Sequence, residues 1–400
     1  MSSLEILPKS SSVNKLVTPR PRLFYLDWLR VIVILNLIPF HVAWMMVFIP
    51  GFSNIPQNSV ATQLLSLYVA LIAPLHMPLL FAISGYSAAI YLQKKSTVSY
   101  LQERLQRLIL PLISFLILLS PILHYFWPSE IQERNLKNFI FEYIPYFMLT
   151  AFNGYGGAPR WKHLWFVGYL FLFTLISLPL FLYLKNVKAH LRVSNVIYYY
   201  IGIIIPWLLF STTFILGCFW TFSPPYNVFG DLAYFSYNLL AFIIGYIICM
   251  DKKITDIIDR NLRWWILIWS ISTVIIVVII SAGFPIAFST PTPTLSAQYC
   301  VYSLLAGLNT WSWLAAILGL AKKYLSFSNP FLSYMSRSSY MYYILHLVVL
   351  VTVGYFTPRP QGVFSEFLVL SILTLALTAL CYEFVFKRLA IMRLLFGIKG

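Results

Sequence analysis

Asp27, Arg30 and His41 stand inside one otherwise apolar stretch, Phe24–Phe48, FYLDWLRVIVILNLIPFHVAWMMVF. On a helix turning about 100° per residue, the eleven-residue step from Arg30 to His41 is roughly 1100°, which leaves both within about 20° of one face and about 16 Å apart along the axis. Asp27 precedes Arg30 by three residues, the spacing of a pair on adjacent turns. Pro39 removes the backbone donor to the Leu35 carbonyl, so a kink is expected beside the imidazole. Ionisable groups inside a membrane-length run are functional candidates by default. Asp27 and Arg30 also fit a plainer role, marking the helix end and snorkelling towards headgroups. That role leaves His41 unexplained, and a neutral imidazole with an unperturbed pKa of about 6.5 can accept a proton from a hydroxyl.

The elements that must position these groups are set by composition. Hydrophobic residues make up 60% of the 400 and charged residues only 10%, against about 25% charged in soluble domains. Apolar runs long enough to cross roughly 30 Å of hydrocarbon recur along the chain. The expected fold is an all-α polytopic integral membrane protein with about ten transmembrane helices, at Phe24–Phe48, Leu64–Leu92, Leu108–Phe126, His163–Leu184, Val196–Trp220, Asp231–Met250, Trp264–Ala282, Tyr299–Ala321, Phe331–Phe356 and Val363–Phe386. Placing the N-terminus inside puts twenty-one Lys and Arg on the inner side and five on the outer, so both termini are expected to be cytoplasmic. The net charge of +16 is thus a topology signal and a contact with anionic lipid, and nucleic acid is not an expected partner. Residues 1–22 read as a disordered cytoplasmic tail, 23–390 as one transmembrane domain, and 391–400 as a second cytoplasmic tail. Within the domain, 127–162 is an extracytoplasmic loop with a re-entrant or interfacial element. The four cysteines have no metal-ligand spacing, and no metal site is expected.

Further candidates follow in chain order. His76 lies in the outer half of the second span, where helix packing explains it as well as chemistry does, and Ser84 follows in the same span. Arg104 and Arg107, one turn apart before Pro111, are either a positive-inside flank or a grip on the phosphates of a cytoplasmic ligand, for which the planar guanidinium fork is suited. The Gly-rich stretch Asn153–Pro159 reads as a lid or as ordinary turn chemistry. His163 and Trp165 open the fourth span at the outer interface as substrate-contact candidates, Trp165 equally as an aromatic-belt anchor. Ser339, Tyr343 and His346 share one stripe of the ninth span, with His346 at a depth close to that of His41. A packing histidine is the alternative there.

These segments resemble the membrane-bound acyltransferase 3 family: LDWLRVIVILNLIPFH, PLLFAISGY at Pro78–Tyr86, the Arg104/Arg107-to-Pro111 turn, HLWFVGYL at His163–Leu170 and SYMYYILH at Ser339–His346, in that order over nearly the whole chain. Trp28 stands where many members have glycine, and the wording is most similar to the glucan succinyltransferase-like branch, that of glucan biosynthesis protein C. The resemblance implies a membrane enzyme of the cytoplasmic (inner) membrane that moves an acyl group from cytoplasmic acyl-CoA to a hydroxyl of an extracytoplasmic glycan. No cofactor is expected to be bound permanently; acetyl-CoA or succinyl-CoA is the donor. It further implies that Arg30 and His41 are essential and that Arg104 and Arg107 matter, with Arg30 a donor-binding candidate beside them. His41 is the expected general base and His346 the substitute for it; Asp27 pairs with Arg30, and the hydroxyls of Ser84 and Tyr343 are candidate oxyanion donors. The rival reading is a secondary transporter or glycolipid flippase, which would also embed Asp, Arg and His but should show paired broken helices in its two halves.

Overall fold

A computed structural model describes residues 22–56, 58–128, 136–150, 161–187, 198–219, 232–283, 294–358 and 362–398. Among them the chain is helical throughout, without strands. Several helix starts are written locally: Ser59, Ser96, Ser296 and Asn329 each accept a hydrogen bond from the backbone N–H three residues on, and Pro330 follows Asn329 where a helix needs no donor.

Among the described residues eight helices are long and apolar enough to cross a membrane: Phe24–Phe48, Val60–Lys94, Lys162–Asn186, Leu232–Met250, Leu262–Ser281, Ala297–Tyr324, Pro330–Phe356 and Val363–Phe386. The other two expected spans are shorter pieces. Leu108–Phe126 falls in a helix that carries a π turn at Leu105–Ile109, continues as Leu110–Leu118 and breaks at Leu119 before a separate turn, Ser120–Tyr125. Pro121 has no N–H to carry the helix across that break. In the fifth expected span a π turn, Tyr200–Ile204, leads into Ile205–Leu216. Val60–Lys94 runs unbroken through Pro74 and Pro78, and Phe24–Phe48 runs unbroken through Pro39.

The first helix packs against Val60–Lys94, Pro330–Phe356 and Val363–Cys381. Val60–Lys94 lies closest to Leu232–Met250: a Cβ on Gly85 would stand 1.9 Å from the Phe242 carbonyl oxygen, and one on Gly245 would stand 1.9 Å from that of Ala82. Glycine on both sides lets the backbones touch, the usual means of helix association in lipid. Leu262–Ser281 is almost wholly on the outside of the bundle.

Of the expected outer loop, the described part forms Leu136–Asn138, a π turn at Phe139–Tyr143 and Ile144–Thr150, with Phe147 fully buried. The Gly-rich stretch at 153–159 and the N-terminal segment 1–21 lie outside the described residues. Near the C-terminus, Ala390–Leu395 is a short helix docked on the bundle: Ser114 Oγ donates to the Leu395 carbonyl at 3.1 Å, and Phe396 is buried with its ring 5.1 Å from that of Phe386.

Candidate active site

His41 and His346 meet where the first helix packs on Pro330–Phe356, with His41 Nδ1 3.3 Å from His346 Nε2. Backbone carbonyls fix the proton positions, because a carbonyl oxygen can only accept. His41 Nδ1 is 2.9 Å from the Leu37 oxygen and therefore carries its hydrogen. His346 Nδ1 is 2.7 Å from the Tyr343 oxygen and carries its own. In the neutral rings both Nε2 atoms are then lone pairs. The contact between the rings is thus a His41 N–H shared between the Leu37 carbonyl and His346 Nε2. Among the described residues His41 Nε2 has no hydrogen-bond partner, and His41 as a residue is only partly buried. His346, by contrast, is 1% exposed.

A third imidazole closes the cluster. His163 lies edge-on to His346, ring centroids 5.0 Å apart, and donates through Nε2 to the Ile344 carbonyl at 3.1 Å. Its Nδ1 is buried without a partner. The Tyr343 hydroxyl donates back to the His163 carbonyl, so the two helices hold each other at this point. Lys162, just before it, has φ +44, a left-handed conformation that costs a non-glycine residue about 1–2 kcal/mol. Its ammonium sits 3.9 Å from the Trp127 ring centroid, a contact that helps hold this turn.

Beyond Phe40, whose ring meets those of His41 and His76 edge-on at 5.2 and 5.0 Å, lies a second polar chain. Tyr68 donates to Asn36 Oδ1 at 2.9 Å, and Asn36 Nδ2 donates to His76 Nε2 at 2.8 Å. No carboxylate among the described residues bonds to any of these four histidines.

The other end of the first helix is built from the opposite material. Arg22 Nε pairs with Asp27 Oδ2 at 2.7 Å and its Nη2 donates to Ser336 Oγ at 2.9 Å. Arg30 stands 3.6 Å from Asp27, close enough for charge attraction and too far for a hydrogen bond. Arg107 pairs with Glu103 at 3.0 Å, whereas Arg104 stays 3.9 Å from that carboxylate with its Nε buried and unpartnered, over the Tyr100 ring at 4.9 Å. Arg22 and Arg30 share Asp27, and Arg104 and Arg107 share Glu103. Four guanidinium groups therefore face two carboxylates. The π turn at Leu105–Ile109 begins directly after Arg104 and contains Arg107, and π turns recur at functional sites.

Other sequence candidates are placed elsewhere or already engaged. Ser84 donates to the Leu80 carbonyl at 2.8 Å, and lies two turns beyond His76, about 12 Å along the helix. Tyr343 is spent on His163, as described. Trp165 is 8% exposed and packed among Phe81, Tyr169 and Tyr234, with no open face. Ser339 is buried at 1%. The spacing of Asp27 and Arg30 pointed to their pairing, but the closer partner of Asp27 is Arg22, which precedes the helix and so escapes any helical pattern. No group of three His, Cys, Asp or Glu among the described residues could hold a metal ion.

A family model described as an acyltransferase domain matches residues 23–383. No curated protein and no solved structure matches the chain.

Proposed function

The chain belongs to the acyltransferase 3 family, and from that premise we propose that it transfers an acetyl or succinyl group from cytoplasmic acyl-CoA to a hydroxyl of an extracytoplasmic glycan, such as periplasmic glucan or a surface polysaccharide. In this reading the protein lies in the inner membrane, crosses it ten times and keeps both termini in the cytoplasm, so that the arginine end of the first helix faces the donor. Arg30, Arg104 and Arg107 hold the phosphates. The extended pantetheine arm separates those phosphates from the thioester, and the roughly 16 Å of helix between Arg30 and His41 is the distance it must span.

The reaction joins three groups. The acceptor oxygen forms a bond to the thioester carbonyl carbon while the acceptor proton passes to His41 Nε2; the carbon–sulfur bond then breaks, and His41 returns the proton to the leaving thiolate. The observation that carries this reading is the free Nε2 of His41, on a ring whose other nitrogen is already committed as a donor and whose helix also carries Arg30. Asp27 holds Arg22 and draws on Arg30, a structural or donor-binding role. Ser84 and Tyr343 serve as oxyanion donors only by exchanging the carbonyls they now bond. His163 belongs to the wall of the site, and Trp165 packs among Phe81, Tyr169 and Tyr234 rather than forming an open sugar platform.

Mass spectrometry of extracytoplasmic glycans from a deletion strain tests the proposal. Loss of an acetyl or a succinyl substituent, restored by the gene, supports it and identifies the acyl group. Glycans of unchanged mass would favour the transporter.

A further inference from the structure

We infer that His346 is the positioning partner of His41, filling with a neutral imidazole the place that a carboxylate takes beside the histidine of a Ser-His-Asp triad. The inference rests on the acyl-transfer reading and assigns a role within it. In such a triad the third group holds the base in one tautomer, aims it, and stabilises the imidazolium that forms. Here no carboxylate among the described residues bonds to His41. Its Nδ1–H is shared between the Leu37 carbonyl at 2.9 Å, a backbone group that keeps its place, and His346 Nε2 at 3.3 Å, the side chain in the position of the triad's third group.

Three features make His346 a fixed acceptor. Its Nδ1–H is held by the Tyr343 carbonyl at 2.7 Å and also faces that of Tyr342 at 3.2 Å, so its Nε2 is a lone pair. Its ring is almost fully buried and braced edge-on by His163, which is itself anchored to the Ile344 carbonyl. Its one lone pair is already directed at His41. The same features exclude it as the base: neither nitrogen is open to an acceptor hydroxyl. When His41 takes the hydroxyl proton on Nε2, its Nδ1–H becomes a charged donor, and charge-assisted bonds are the stronger kind. His346 gains no proton in the step. The proton moves from the acceptor oxygen to His41 Nε2 and then to the thiolate sulfur, and no second charge is buried.

The test compares His346→Ala, His346→Gln and His41→Ala in purified protein in lipid nanodiscs, with acetyl-CoA and succinyl-CoA as donors and periplasmic glucan as acceptor. Gln places its Oε1, an acceptor, near the position of Nε2. His346→Ala is expected to lower kcat roughly ten- to hundred-fold with the donor KM little changed, less than the full loss of a base at roughly 10²–10⁴-fold. His346→Gln is expected to recover most of that loss. Unchanged kcat in His346→Ala, equal losses in the Ala and Gln variants, or a fall as deep as that of His41→Ala would each overturn the assignment. Nitrogen-15 NMR of histidine-labelled parent protein reads the pair without any assay: a coupling between His41 Nδ1 and His346 Nε2 is expected, and its absence overturns the pairing. If the coupling is present and the parent transfers neither acyl group to periplasmic glucan or to surface polysaccharide, the acyl-transfer reading has failed, and the role assigned to His346 fails with it.

Discussion

One helix carries two polar regions of opposite design. At its start, guanidinium groups outnumber carboxylates and side chains pair with side chains at distances from 2.7 to 3.9 Å. Eleven residues beyond Arg30, His41 and the imidazoles of His346 and His163 bond to backbone carbonyls, with no carboxylate among the described residues bonded to them. Backbone partners cannot swing away, so the histidines are held in single tautomers. The ion pairs at the other end can exchange, and Arg104 keeps a buried donor unmatched. A surplus of loosely paired positive charge suits capture of a polyanion, because each new charged hydrogen bond replaces a weak or missing one. A rigid set of neutral imidazoles suits movement of a proton. In the proposed function binding falls to one region and chemistry to the other, and variants should separate along that line.

The largest effect is expected at the histidines. His41→Ala should reduce glycan acylation by roughly 10²–10⁴-fold, the usual contribution of a positioned base, while acyl-CoA binding stays near that of the parent. Retention of more than about a tenth of the parent rate would remove His41 from the role.

Next comes the binding region. The Arg104→Ala, Arg107→Ala double variant should lose about 1.5–3 kcal/mol of donor binding, roughly a ten- to hundred-fold weaker affinity, with a flatter salt dependence in a titration of acyl-CoA. If its affinity matched the parent's, these arginines would serve only to fix topology.

A smaller change is expected from Asp27→Asn. Asp27 is 13% exposed and holds Arg22, which is 56% exposed, so removing its charge should lower stability by about 1 kcal/mol or less, read as a modest drop in melting temperature. Donor affinity should not fall, since the surplus of positive charge only grows. A donor affinity as weak as that of the double arginine variant would place Asp27 in the binding machinery itself.

Smallest of all should be Trp165→Phe. The ring is enclosed by aromatic neighbours, and a slightly smaller aromatic should cost under about 1.5 kcal/mol of stability without altering the acceptor KM. A raised acceptor KM would show that Trp165 reaches the sugar after all.

Much of this division was legible in the sequence, and the reasons are local. Helical spacing alone put Arg30 and His41 on one face, and counting residues from the helix ends put His346 near the depth of His41. The order of short segments pointed to the family, which the match over residues 23–383 bears out. What stayed hidden depends on neighbours distant in sequence. Arg22 reaches Asp27 from outside the helix, where no periodicity applies. His163 joins the cluster because its helix starts against Pro330–Phe356, 181 residues away from the carbonyl it bonds. The hydroxyls of Ser84 and Tyr343 were visible as donors, but not as donors already committed to carbonyls. Two expected spans were apolar enough on paper; one breaks at Leu119 before Pro121, and the described part of the other is a π turn leading into Ile205–Leu216.

The central claim is that the two regions are the ends of one donor site, with the phosphates at Arg30, Arg104 and Arg107 and the acyl group beside His41. Photo-crosslinking with an acyl-CoA analogue that carries a diazirine in its acyl chain tests this directly, with the adducts mapped by peptide mass spectrometry. The account predicts adducts on the segments around His41 and His346, abolished by excess acyl-CoA and weakened in the double arginine variant. Adducts confined to the arginine end, or to segments remote from both regions, would contradict it.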